Sequence, residues 1–146
     1  MAKVTSGIVV ACDGSEHSLE AARMAAELAK AMGQPLKLLS VFPSSRVEKL
    51  VIGGAMPESI DEEVNSYGRE VLDAARKAVG STVESAEEVL LRGDPAKVIL
   101  DYLEDNPGVH LVLGRRGHSL VRSLTLGSIS EKVVRHASGP VTVVNG

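Results

Sequence analysis

Apolar residues along this chain follow two rhythms that take turns. Gly7-Ile-Val-Val-Ala-Cys12 is a short unbroken apolar run, the mark of a strand covered on both faces. It stops at Asp13-Gly14-Ser15, a turn that contains a helix cap. From Glu16 to Met32 the rhythm is helical: Leu19, Ala22, Ala26 and Ala29 recur at three- and four-residue steps, and Gly33 marks the stop. Pro35 to Phe42 is a second strand and completes one βαβ unit. Pro43 to Met56 keeps neither rhythm and reads as a mobile loop with at most a short helical turn. A long helix follows from Pro57 to Val79, with Ile60, Val64, Tyr67, Val71 and Ala75 on its buried stripe. Val83 to Leu91 is a third strand, and Glu84, Glu87 and Glu88 suit the edge of a sheet. Gly93-Asp94-Pro95 starts a helix over Ala96 to Glu104, with Asp94 as its cap. Val109 to Leu113 is a fourth strand, Ile129 to His136 a helical pattern, and Val141 to Asn145 a last strand.

Five strands alternating with four helices define an α/β protein with a parallel sheet. Such sheets bind ligands beyond the carboxyl ends of their strands, where the strand order reverses. Two polar turns lie at strand ends with helices behind them: Asp13-Gly14-Ser15 after the first strand, and the stretch from Gly114 after the fourth. Neighbouring first and fourth strands would make these turns face each other across one crevice.

Composition narrows the choice of ligand. The chain has 146 residues, enough for one domain with a real core, and 44% of them are apolar. With no Trp, one Phe and two Tyr, it has no stacking platform for single-stranded nucleic acid. A net charge of −3 spread along the chain gives no basic field for duplexes. The N-terminal apolar run is too short for a signal peptide or membrane span, so a cytoplasmic protein is expected, with no membrane or nucleic-acid partner. Cys12 is the single cysteine, which fits a reducing compartment; it reads as a small buried hydrophobe rather than a redox sensor.

The chain contains no Walker loop, no Gly-x-Gly-x-x-Gly, no Gly-x-Ser-x-Gly elbow and no zinc spacing. Of its four histidines only His118 falls in the polar stretch after the fourth strand. That stretch runs Gly114-Arg-Arg-Gly-His-Ser-Leu-Val-Arg-Ser-Leu-Thr-Leu-Gly-Ser-Ile-Ser130. Glycines let backbone N–H groups approach a ligand, and the following helix start adds free donors and partial positive charge. The combination points to an anion, phosphate in particular. Arg115, Arg116 and Arg122 can offset phosphate charge. Each glycine pair taken alone reads as turn glycines or a helix start; together, in strand-helix context, they read as a binding loop.

Gly114-x2-Gly117-x9-Gly127-Ser128 resembles the motif of the nucleotide-binding universal stress proteins. Asp13-Gly-Ser with its Ala-rich helix, Gly93-Asp94-Pro95 and the closing stretch from Gly127 agree, so the resemblance covers nearly the whole chain outside Pro43 to Met56. His110, where the family usually has Asp, and Ser138-Gly139-Pro140 depart from the pattern without touching the phosphate loop. The resemblance implies a single domain over residues 1–146, a flavodoxin- or Rossmann-like three-layer sandwich, and a five-stranded parallel sheet in the order 3-2-1-4-5. It implies an ATP site with Mg²⁺ in which Asp13 meets the ribose or the metal, and Ala11 and Val41 line the adenine pocket. Leu113 would line the nucleotide site, Gly114, Arg116 and Gly117 would bring backbone donors to the ribose and phosphates, and Gly127, Ser128 and Ile129 would hold the phosphate tail. Asp13 read by itself serves equally as a cap for the first helix. A homodimer through Val141 to Asn145 and a protein partner complete the expectation: a regulatory module that binds ATP and orders its loops. The alternatives are a slow ATP hydrolase, for which no water-positioning base is evident, and a nucleotide-free dimeric scaffold.

Overall fold

A computed structural model describes residues 5–116 and 126–145. Along them run β1 (Gly7–Ala11), α1 (Glu16–Met32), β2 (Leu36–Pro43), α2 (Ser44–Ile52), α3 (Pro57–Val79), β3 (Ala86–Gly93), α4 (Pro95–Asp105), β4 (Val109–Gly114), α5 (Ser128–His136) and β5 (Val141–Val144). All the strands are parallel, in the order β3-β2-β1-β4-β5. Val10 of the central β1 stands opposite both Leu38 of β2 and Val112 of β4.

Strand alternation divides the core into two layers. Ile8, Val10, Leu38 and Val112 pack on α1 and α3; Val9, Leu39, Val41, Leu111 and Leu113 pack on α4 and α5. Covering both faces explains why β1 is apolar without a break. The face that α1 turns to the sheet is almost entirely alanine, with Ala21, Ala22, Ala25 and Ala26 fully buried. The caps fall where the sequence puts them. Ser15 accepts the Ser18 N–H at 3.2 Å, Asp94 accepts the Lys97 N–H at 3.1 Å, and Gly33 ends α1 at φ 64° in the left-handed region.

Two expectations need correction. Most of the segment from Pro43 to Met56 is helix: α2 makes five helices, not four, among the described residues. Its turn-like flanks, Ser44-Ser45 and Gly53-Gly54, hide a narrow apolar edge. Val47 and Leu50, three residues apart, rest against Phe42, Ile60 and Val64, while α2 buries no residue fully. β3 begins at Ala86 rather than Val83, because β2 begins at Leu36, the residue opposite Ala86, and the residues before it have no strand partner among the described residues. Arg76 pins that start, donating to Ala86 O at 2.7 Å and to Glu88 Oε2 at 2.6 Å. The charge-rich strand does lie at the sheet edge.

Candidate nucleotide site

β1 and β4 are neighbours, and the chain leaves them in opposite directions, toward β2 and toward β5. The carboxyl ends of the strands therefore part, as expected at a reversal of strand order. A cavity of about 340 Å³ opens there, within the range of small-molecule sites. β1 and the turn after it supply Ala11, Cys12 and Asp13; β2 supplies Leu39, Val41 and Pro43; β4 supplies Leu113 and Gly114. Pro95 and Ile99 of α4 close one side, and Arg116, Gly127, Ser128, Ile129 and Ser130 form the opposite wall.

Of the helix starts around this cavity, two are closed by side chains and two, α2 after Pro43 and α5 after Gly127, are not. α1 is closed by the Ser15 hydroxyl and α4 by the Asp94 carboxylate. α5 has Gly127 at its cap position. Among the described residues its first N–H groups have no side-chain acceptor, and they stand with the positive end of the helix dipole at the cavity wall. Two contacts place this helix start: Gly127 N–H donates to Arg115 O at 3.0 Å, and Ser130 Oγ donates to Gly114 O at 2.8 Å.

Asp13 is not the cap of α1. Its Oδ1 accepts from the N–H of Ser15 at 2.9 Å and from the Ser15 hydroxyl at 2.5 Å, so it braces the residue that is the cap. From that position it still lines the cavity, and it is the one carboxylate to do so among the described residues. No cluster of three or more potential metal-ligating His, Cys, Asp or Glu occurs among the described residues.

Gly114 has a packing role that its motif position hides. A Cβ there would lie 2.7 Å from the carbonyl carbon and oxygen of His17, so the first turn of α1 leaves no room for a side chain. Cys12 is a buried residue of the cavity wall. Burial pushes its thiol up to about 12, with the Asp13 charge adding to the effect, so it remains a neutral thiol.

Ala11, Asp13, Val41, Leu113, Gly114, Arg116, Gly127, Ser128 and Ile129 thus all line one cavity. Gly117, His118 and Arg122 lie outside the described residues. Sequence reading missed the other nine lining residues, Ser18, Tyr67 and Ile99 among them. Tyr67 and Ile99 sit on helical stripes, and periodicity marks a buried face without telling core from cavity wall. Ser18 carried no signal of its own.

A five-stranded parallel sheet with its one reversal at β1 and β4, and a cavity with an open helix start at that reversal, define a Rossmann-like α/β protein. Within that class the chain belongs to the universal stress protein family, whose model matches residues 6–145. It is 33% identical over 143 residues to universal stress protein YxiE of Bacillus subtilis, a match covering 94% of this chain and 97% of that one. Universal stress protein UspA from Lactobacillus plantarum has the same fold, with TM-score 0.75 and 21% identity over 98% of this chain and 99% of that one. The universal stress protein from Archaeoglobus fulgidus in complex with dAMP matches with TM-score 0.68 and 25% identity over 97% of this chain and 98% of that one.

Proposed function

We propose that the protein binds ATP with Mg²⁺ in this cavity and acts as a regulatory module rather than an enzyme. The observation that carries the reading is the uncapped start of α5 opening into a cavity whose other side is apolar. Leu39, Val41, Pro95 and Ile99 form a slot suited to a flat base, and Ala11 and Leu113 lie between that slot and the anion-binding end. Asp13, at the end of β1, stands where a sugar joining the two would pass. It accepts ribose hydroxyl protons or shares Mg²⁺ with the phosphates, and with no second carboxylate in the wall the ion's remaining ligands are phosphate oxygens and water. Mg²⁺ supplies charge neutralisation there. The dAMP complex of the Archaeoglobus fulgidus relative supports an adenine nucleotide as the ligand class.

The regulatory output would pass through α2, which borders the cavity at Pro43 and exposes Val51 and Ile52. A homodimer would form along β5, an edge strand of sequence Val-Thr-Val-Val in a cytoplasmic protein. Freshly purified protein should carry an adenine nucleotide detectable by native mass spectrometry, and Mg²⁺-ATP should raise its Tm. Neither ligand nor Tm shift would favour the scaffold alternative. Turnover of the bound ATP within minutes in a single-turnover assay would favour the hydrolase.

A further inference from the structure

The cavity does not stop at the apolar slot and the α5 wall. It crosses the carboxyl edge of the sheet to the other layer, where Cys12, Ser18 and Tyr67 line it. Tyr67 is the only α3 residue among the lining residues described. Its ring is fixed from two sides: Phe42 meets it edge-on at 5.4 Å and 82°, and the Arg46 guanidinium lies 5.2 Å from its centroid. A ring so held presents its hydroxyl in one direction.

That hydroxyl lies beside Ser40 Oγ. Ser40 is 1% exposed, and its Oγ has no hydrogen-bond partner, so the two hydroxyls are neighbours without reaching hydrogen-bond geometry. A buried hydroxyl left in this state is an open position in a polar network. Burial raises the Tyr67 phenol above its ordinary value, with the Asp13 charge acting in the same direction, so the group stays a neutral donor. Asp13, Tyr67 and Ser40 therefore bring a carboxylate and two hydroxyls together at the end of β1.

We propose that Tyr67 is a specificity-determining residue for the ligand's sugar: its hydroxyl, positioned by Ser40, binds the 2′,3′-hydroxyl edge of the ribose alongside Asp13. The inference rests on the adenine-nucleotide reading of the cavity. A base in the slot at β2 and phosphates at α5 leave the sugar over the end of β1, which is where Tyr67 reaches the cavity. The phenol can donate to a sugar oxygen, and its own oxygen then remains to accept from the Ser40 hydroxyl, so a bound sugar supplies the phenol's acceptor. A deoxygenated sugar leaves that position unfilled, and sites built to bond a hydroxyl reject ligands that lack it.

The test compares Kd for ATP and 2′,3′-dideoxy-ATP, both with Mg²⁺, by calorimetry on the wild type, Tyr67→Phe and Ser40→Ala. The wild type should prefer ATP. Tyr67→Phe keeps the ring and its contacts, and should shrink that preference roughly fivefold while changing dideoxy-ATP affinity by less than about twofold. Ser40→Ala should shrink it by a smaller factor, since it positions the phenol without touching ligand. A preference unchanged within about twofold in both variants, or a parallel loss for both nucleotides in Tyr67→Phe, would overturn the assignment and leave Tyr67 as packing. Failure of the wild type to bind either nucleotide would instead remove the adenine-nucleotide reading on which the assignment rests.

Discussion

Gly114 and Gly127 occupy equivalent-looking places in the glycine motif, yet the fold asks different things of them. At Gly114 the first turn of α1 occupies the space a Cβ needs, at 2.7 Å from His17 backbone atoms. At Gly127 the backbone is at φ −65°, which any residue adopts, and the nearest atom to an added Cβ is Arg116 Cα at 3.4 Å. Gly114→Ala should therefore destabilise the protein by about 1–3 kcal/mol, read as a lower urea midpoint. Gly127→Ala should cost less than about 1 kcal/mol as a cap substitution. On the proposed reading the same change should weaken Mg²⁺-ATP binding roughly tenfold, because its methyl group would stand at the uncapped start of α5. Unaltered affinity in Gly127→Ala would remove phosphate from the α5 start.

Among the elements, α2 is the most lightly attached. It buries no residue fully, and Ile52 at its end is 86% exposed. Val47 and Leu50 hold it by a narrow apolar edge, and the Arg46 guanidinium sits 5.0 Å from the Phe42 ring centroid and 5.2 Å from that of Tyr67. Cation–π contacts at an exposed site contribute about 0.5–1 kcal/mol, small beside global stability but large beside the stability of such a helix. Arg46→Ala should therefore speed hydrogen exchange across residues 44–52 while α1 and the strands keep their protection. Arg46→Lys should restore only part of it, since the guanidinium plane stacks on a ring and an ammonium does not. Equal acceleration throughout the chain would show that Arg46 supports the core rather than α2. This attachment passes through Tyr67, which also lines the cavity, so the cavity and α2 share a residue.

At the scale of the whole molecule, pH dependence follows from the seam between β4 and β5. His110 Nε2 lies 2.7 Å from Thr142 Oγ1, and burial lowers the ring below its ordinary 6.5. The unfolded chain then binds the proton more readily than the folded one. The stability gained from the neutral ring is present above pH 6.5 and is lost as pH falls through the lowered value. Urea midpoints should fall between about pH 7.5 and pH 5, and His110→Asn should flatten that decline. A decline of equal slope in the variant would assign it to other groups.

Much of this molecule is legible in its residues alone, because strand and helix impose periods of two and 3.6 that burial makes visible. The unbroken apolar run of β1, the alanine face of α1, the Asp94-Pro95 helix start and the charged edge strand β3 all carry their assignment locally. The spacing of Gly114, Gly127 and Ser128 likewise points to the strand end where the cavity opens, and all three residues line it. Other properties depend on what each residue meets. α2 is visible only against Phe42, Ile60 and Val64, and β3 starts where β2 gives it a partner. Asp13 is a brace rather than a cap because Ser15 reaches the helix first. Tyr67 is a stripe residue in sequence and a cavity wall in space, because a period says that a side chain faces inward but not what fills the interior there. Sequence by itself determined most of the elements and their class. Only the tertiary structure, by bringing the ends of β1, β2 and β4 beside α3 and α5, decided which side chains share the cavity.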